Sequence, residues 1–242
     1  MTKMKILALS SSRVGNSGYL EMAIPQIKQF LGNTSLRIAF IPFAFVDEDK
    51  TPLTKMVVNA FAELPYSIDV VTKENGTSLI EDADVIMVSG GNTFKLLHDL
   101  YEADLLNLVK GKVKAGTPYI GWSAGANITG ATICTTNDMP IIEPKSFRAL
   151  NFFPFQINPH YYNVVIEGHN GETRDQRLTE FVKLNPEMKV VCLPEGTALL
   201  LDKEKLQLIG DKSGILMKNK DGELQKAEIQ PDEDIAHLLH LK

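Results

Sequence analysis

The stretch TPYIGWSAGANITG, Thr117–Gly130, decides how this chain is built. An apolar run, Tyr119-Ile120, enters a Gly-x-Ser-x-Gly pattern at Gly121, Ser123 and Gly125, and a helix-capable run follows. A strand that turns at once into a helix puts the central serine on a strained corner at the end of a sheet. Glycines on either side let the backbones approach closely. The N–H of the next residue, Ala124, then lies at a helix start, where it can face a developing oxyanion. The stretch therefore predicts an α/β body with Ser123 as a nucleophile. The competing reading is a small residue in a tight turn.

Working outward, Met4–Ser10 (MKILALS) is a short apolar run that fits a buried strand. After polar SSRVGNSG, the residues Tyr19, Leu20, Ala23, Ile24, Ile27, Phe30 and Leu31 recur at helical spacing, with Ser17 as N-cap. LRIAFIPFA is a second strand, and Thr51-Pro52 fits N-cap then first helical position for a helix to about Leu64. YSIDVVT and ADVIMVSG are further strands, and Thr93 to about Lys114 reads as one or two helices. Strands alternating with helices predict parallel βαβ units. The last fifty residues differ: VVCLP, TALLLD, LQLIG, GILMKN and LQKAEI are short β-like runs, and Asp221-Gly222 carries a hairpin signal. The expectation is one domain over 1–242, with a doubly wound, mostly parallel sheet and a β-rich antiparallel C-terminal extension.

Composition narrows the function classes. Twenty-five Lys and Arg against 30 Asp and Glu give a net charge of −5, so nothing electrostatic draws the chain to nucleic acid or an anionic membrane. An anionic substrate would need a local cation. The two cysteines, Cys134 and Cys192, have no paired or metal-ligand spacing, and no cofactor is expected. The N-terminal run reads as a first strand and not as a leader, and no segment is long and apolar enough for a membrane helix. These features point to a cytoplasmic protein.

A serine nucleophile needs a base. Of five histidines, His237 and His240 lie at the C-terminal end and His98 sits in an amphipathic helix. His160, closing FPFQINPH, stands where a strand ends, as catalytic groups in α/β folds do, and is favoured over His169 in EGHNGETR. An acid should orient the imidazole. Asp138 in TTNDMP and Glu195 in CLPEGT both qualify, and the order Ser…Asp…His favours Asp138. Gly90-Gly91, between a strand and a helix, offers free N–H groups, with Gly91 as a second oxyanion donor. Arg174 falls in the first turn of a helix opening near Thr173. A cation there opposes the helix dipole, so it is either a surface ion pair with Glu172 or Asp175, or a guanidinium that grips a carboxylate. A non-enzyme alternative takes Ser10–Gly18 as a phosphate cradle in a flavodoxin-like binding module.

The blocks FIPFA, GGNTFKLL, YIGWSAGAN, TTNDMPI, FPFQINPH, EGHNGETRDQR and LPEG occur in this order. As a set they resemble the peptidase E family of cytoplasmic α-aspartyl dipeptidases. That resemblance implies a serine peptidase that cleaves dipeptides with an N-terminal aspartate and uses no metal or cofactor. It implies a three-layer fold related to class I glutamine amidotransferases, and kinship with hydrolases of polymeric aspartate and with amidases. The nucleophile maps onto Ser123, the base onto His160, and the residue that holds the aspartate side chain onto Arg174. Asp138 and Glu195 both match positions given the third role. Monomer and homodimer remain open.

Overall fold

The computed structural model describes residues 4–165, 167–168, 170–220 and 222–240. His169 and Asp221, both singled out above, lie outside the described residues. In chain order the elements are β1 (Lys5–Leu9), α1 (Ile24–Leu31), β2 (Leu36–Ile41), α2 (Thr51–Ala60), β3 (Tyr66–Val70), α3 (Gly76–Asp82) and β4 (Val85–Val88). Next come α4 (Thr93–Glu102), α5 (Leu106–Ala115), β5 (Tyr119–Trp122), α6 (Ala124–Asn127), β6 (Gln156–Asn158) and α7 (Arg174–Leu184). The chain continues with β7 (Val190–Cys192), β8 (Ala198–Asp202), β9 (Lys205–Ile209), β10 (Gly214–Lys220) and β11 (Glu223–Ile229), and a 3₁₀ turn follows at Ala236–Leu239.

Among the described residues the main sheet has seven strands in the order β3-β2-β4-β5-β1-β8-β9. The five strands from β3 to β1 are mutually parallel, and β8 and β9 extend the sheet antiparallel. Side chains alternate across a strand, so the core divides into two layers. Ile6, Ala8, Ile86 and Val88 face Leu96, Leu100, Val109 and Val113 of α4 and α5. Leu7, Leu9, Phe40, Met87, Ile120 and Trp122 face Ile27 and Phe30 of α1 and Leu53 and Val57 of α2. Burial on both faces explains why the central strands read as unbroken apolar runs. The expected three layers are thus present.

Several elements depart from the sequence reading for identifiable reasons. The first helix starts at Ile24 and not near Ser17, with Pro25 in its first two positions. A helix from Ser17 would bury proline in its interior, where it lacks an N–H and clashes with the preceding turn. Ser17 Oγ instead accepts from Val14 N at 2.9 Å. Thr51 is the first residue of α2, not its cap. Lys50 precedes it, Asp49 Oδ1 accepts from Thr51 N at 2.9 Å, and the helix ends at Ala60. The short helix α3 was not read from the sequence.

The C-terminal strands pair antiparallel with one another, as expected, but they are divided between two sheets. β8 returns to the main sheet beside β1, while β7 joins a second sheet of order β11-β10-β7-β6 in which β6 and β7 are parallel. Helix α7 packs Leu178 and Val182 on this second sheet against Val190, Cys192 and Met217.

Candidate active site

Ser123 stands at the corner between β5 and α6, with φ of 54°. Left-handed backbone at a serine is strained, and it persists because its neighbours leave no alternative. A Cβ on Gly121 would fall 2.3 Å from Gly125 O, and one on Gly125 would fall 2.4 Å from Val88 O. Only glycine fits at either place. Tyr119 Oη donates to Gly125 O at 2.7 Å and Ser123 N donates to Leu9 O at 3.1 Å, which pins the corner to the sheet.

His160 follows β6. Its Nε2 lies 2.9 Å from Ser123 Oγ and its Nδ1 lies 2.8 Å from Glu195 Oε1. An ionised carboxylate only accepts, so Nδ1 carries the proton and Nε2 is left to receive the serine O–H. Glu195 sits in a turn closed by Thr197, whose N–H and Oγ donate to Pro194 O at 3.1 and 2.7 Å.

The Gly90-Gly91 turn abuts this group. A Cβ on Gly90 would come within 2.9 Å of Ser123 Cβ. Gly91 has φ of 140°, and a Cβ there would sit 2.2 Å from Ala44 O. Among the described residues neither Gly91 N nor Ala124 N donates to a protein acceptor. Both N–H groups are therefore available to a ligand.

Asp138, which chain order favours as the orienting acid, does not meet His160. Its Oδ2 accepts from Thr93 N at 2.7 Å, Thr93 Oγ1 at 2.6 Å and Thr136 Oγ1 at 3.1 Å. The N-terminus of α4 supplies free N–H groups and a positive dipole end, and these hold the carboxylate there. Its Oδ1 has no hydrogen bond within the described residues. Chain order carried over from another fold favours Asp138, whereas the loop after β7 brings Glu195 to the imidazole.

Arg174 opens α7 behind a capping box, in which Thr173 Oγ1 accepts from Gln176 N at 3.3 Å and Gln176 Oε1 accepts from Thr173 N at 2.7 Å. The ion pairs considered for it are taken by others. Glu172 lies 3.8 Å from Arg177, and Asp175 receives Tyr161 Oη at 2.6 Å, Asn163 Nδ2 at 2.8 Å and Lys226. Arg174 is half-buried and forms no ion pair with a carboxylate among the described residues, although Asp138 is near enough to act on its charge. Burial lowers its pKa, and the nearby Arg177 lowers it further. Its Nη1 donates to Asn158 Oδ1 at 3.3 Å. Asn158 lies two residues before His160, so the guanidinium points toward the strand end that carries the base. The role of Asn158 was not read from the sequence, where Asn-Pro signals only a turn. Its amide is fixed by donating to Thr135 O and to Asn137 Oδ1, both at 2.7 Å.

The remaining candidates resolve into structure. His98 meets Asp99 Oδ1 at 3.1 Å on α4. In the Ser10–Gly18 loop, Ser11 Oγ donates to Arg13 O at 2.7 Å and Leu20 N donates to Ser12 O at 2.7 Å. With α1 opening only at Ile24, no helix N-terminus follows the loop as a phosphate cradle requires. Among the described residues no group of His, Cys, Asp and Glu could hold a metal ion, and no helix is long and apolar enough to cross a membrane.

Residues 6–209 match the profile of Peptidase family S51. The chain belongs to that family. It is therefore a hydrolase, a serine-type peptidase. Peptidase E of Nostoc sp. (strain PCC 7120) is 48% identical over 240 residues, covering 99% of this chain and 98% of the relative. Peptidase E of Shewanella denitrificans is 50% identical over 222 residues, covering 91% and 94%. A peptidase from an acI-B1 Actinobacterium, 16% identical, superposes with a TM-score of 0.65 over 96% of each chain, which shows a shared fold. Family S51 membership thus covers both the elbow and the strands that carry His160 and Glu195.

Proposed function

We propose that the chain hydrolyses dipeptides with an N-terminal aspartate and releases free aspartate. The observation that carries the reading is the hydrogen-bonded chain Ser123–His160–Glu195 on the side of the fold where Arg174, half-buried, forms no ion pair among the described residues.

In this reading Ser123 Oγ attacks the carbonyl carbon of the aspartyl residue while His160 Nε2 takes the hydroxyl proton. Glu195 holds the imidazole by Nδ1–H and stabilises the imidazolium that forms. The carbonyl oxygen, now an oxyanion, accepts from Ala124 N–H and Gly91 N–H, donors each worth about 2.7–4 kcal/mol at such a site. The C–N bond breaks as His160 returns its proton to the leaving amine. Water, deprotonated by the same imidazole, then attacks the acyl-enzyme ester and frees aspartate and Ser123.

Arg174 receives the aspartate side chain, because a bidentate fork matches a carboxylate and a chain of net charge −5 attracts no anion by its overall field. The free Oδ1 of Asp138, whose other oxygen is held by Thr93 at the start of α4, suits the substrate's ammonium group. Cys134 and Cys192 are both free thiols, which fits action in the cytoplasm.

The test is a dipeptide panel that varies the first residue, run beside glutamine and an aspartate polymer, with Ser123→Ala as control. Cleavage of Asp-Leu well above Ala-Leu, lost in Ser123→Ala, is expected. Preference for the polymer or for glutamine would replace this reading with one of the related hydrolases.

A further inference from the structure

We propose that Ser10, the residue after β1, is a positioning residue that sets His160 and Glu195 against Ser123. The inference rests on the Ser123–His160–Glu195 reading and extends it to a side chain that touches neither substrate nor reacting atom.

Ser10 is fully buried. Its Oγ donates to Leu193 O at 2.7 Å and accepts from His160 N at 2.9 Å. Its own N–H donates to Thr197 O at 2.9 Å. Leu193 and Thr197 lie two residues before and two residues after Glu195, so one serine grips both flanks of the turn that presents the acid. The residue before it, Leu9, accepts from Ser123 N at 3.1 Å. Two consecutive residues at the end of β1 therefore anchor the segments carrying all three groups.

The segments come from different layers, which is why such a node is needed. Ser123 belongs to the main sheet, while His160 and Leu193 follow β6 and β7 of the second sheet. His160 has φ of 51°, a left-handed backbone that must be held by its surroundings. Its N–H has Ser10 Oγ as its acceptor. A hydroxyl is the smallest side chain that donates and accepts at once. Alanine would leave the His160 N–H without its acceptor and would release one flank of the Glu195 turn. Leu193 O keeps a second donor, Tyr161 N at 2.9 Å, so the loss falls mainly on the histidine.

The experiment compares Ser10→Ala, Ser10→Cys, Glu195→Gln and the Ser10→Ala/Glu195→Gln double variant on Asp-Leu. Ser123→Ala is the control, and folded fraction is read by circular dichroism. Ser10→Ala should lower kcat roughly 10- to 100-fold with KM nearly unchanged, as displacement of a catalytic group by about an ångström does. Ser10→Cys, near in volume with a weaker donor and acceptor, should fall between. The double variant should be little worse than Glu195→Gln alone, because both changes act through one imidazole.

A purely structural serine would lower activity only with the folded fraction, and its effect would multiply with that of Glu195→Gln. Either result overturns the inference. If Ser10→Ala does not fold, Ser10→Cys carries the same comparison in its own double variant. Retained activity in Ser123→Ala would instead sink the underlying reading, whatever Ser10 does.

Discussion

Replacing Arg174 with methionine is the sharpest test of specificity. Methionine keeps much of the length and removes the charge. The protein should still fold, since Asn158 loses one donor at 3.3 Å but keeps its two amide bonds at 2.7 Å. The capping box of α7 uses Thr173 and Gln176 and does not involve Arg174. In the complex, the aspartate carboxylate would be left desolvated and unpaired. Breaking a buried charge pair costs about 3–5 kcal/mol. Arg174 is half-buried, so the lower end, about 3 kcal/mol, applies, and with about 1.4 kcal/mol per factor of ten it gives a loss of roughly 100- to 200-fold. The assay is kcat/KM for Asp-Leu and Ala-Leu on wild type and Arg174→Met. The Asp-Leu value should fall by that factor and the Ala-Leu value by little. Arg174→Lys should recover only part, because it keeps the charge and loses the fork. An unchanged Asp-Leu to Ala-Leu ratio in Arg174→Met would refute the reasoning and leave Arg174 as a support for Asn158.

Three further outcomes follow from the same contacts. Glu195→Gln should reduce kcat by roughly two orders of magnitude or more, because the wrong imidazole tautomer is favoured, whereas Asp138→Asn should act mainly on KM. Asp138→Asn should also destabilise the fold by about 0.3–1 kcal/mol, measured by urea titration, since a negative charge at the N-terminus of α4 is lost. A kcat collapse confined to Asp138→Asn would reverse the two roles. Gly125→Ala should yield little folded protein, because its Cβ would sit 2.4 Å from Val88 O, a backbone atom that cannot swing aside; a normal melting temperature would contradict that. A thiol reagent should label Cys134 in the native protein and spare Cys192, which is buried with its thiol pKa pushed up by burial; both should react in denaturant.

The parts of this protein that are legible in sequence are local ones. The corner at Ser123 is encoded within five residues, because two glycines that admit no Cβ must flank a strand-to-helix turn. Alternation of apolar runs with amphipathic helices fixes the parallel layers, since each element's periodicity states which face it buries. Thr173 announces α7 through a capping box of four residues. Pro25 carried enough information to place the start of α1, but the apolar spacing before it outweighed that signal.

What only the tertiary structure decided are the meetings between distant segments. Asp138 and Glu195 look alike in sequence, each an acid in a polar turn between apolar runs. β7 crosses to the second sheet, and the chain returns as β8 beside β1, so the turn between them carries Glu195 to His160. Asp138 is drawn to the N–H groups of α4. Arg174 could be read as unpaired only once Arg177, Tyr161, Asn163 and Lys226 were seen to occupy its neighbours' carboxylates. Ser10, one serine among three in a row, carries no local mark at all. Its partners lie 150 and 183 residues away, and a hydrogen bond across that separation depends on the packing of two sheets, which no pattern along the chain records.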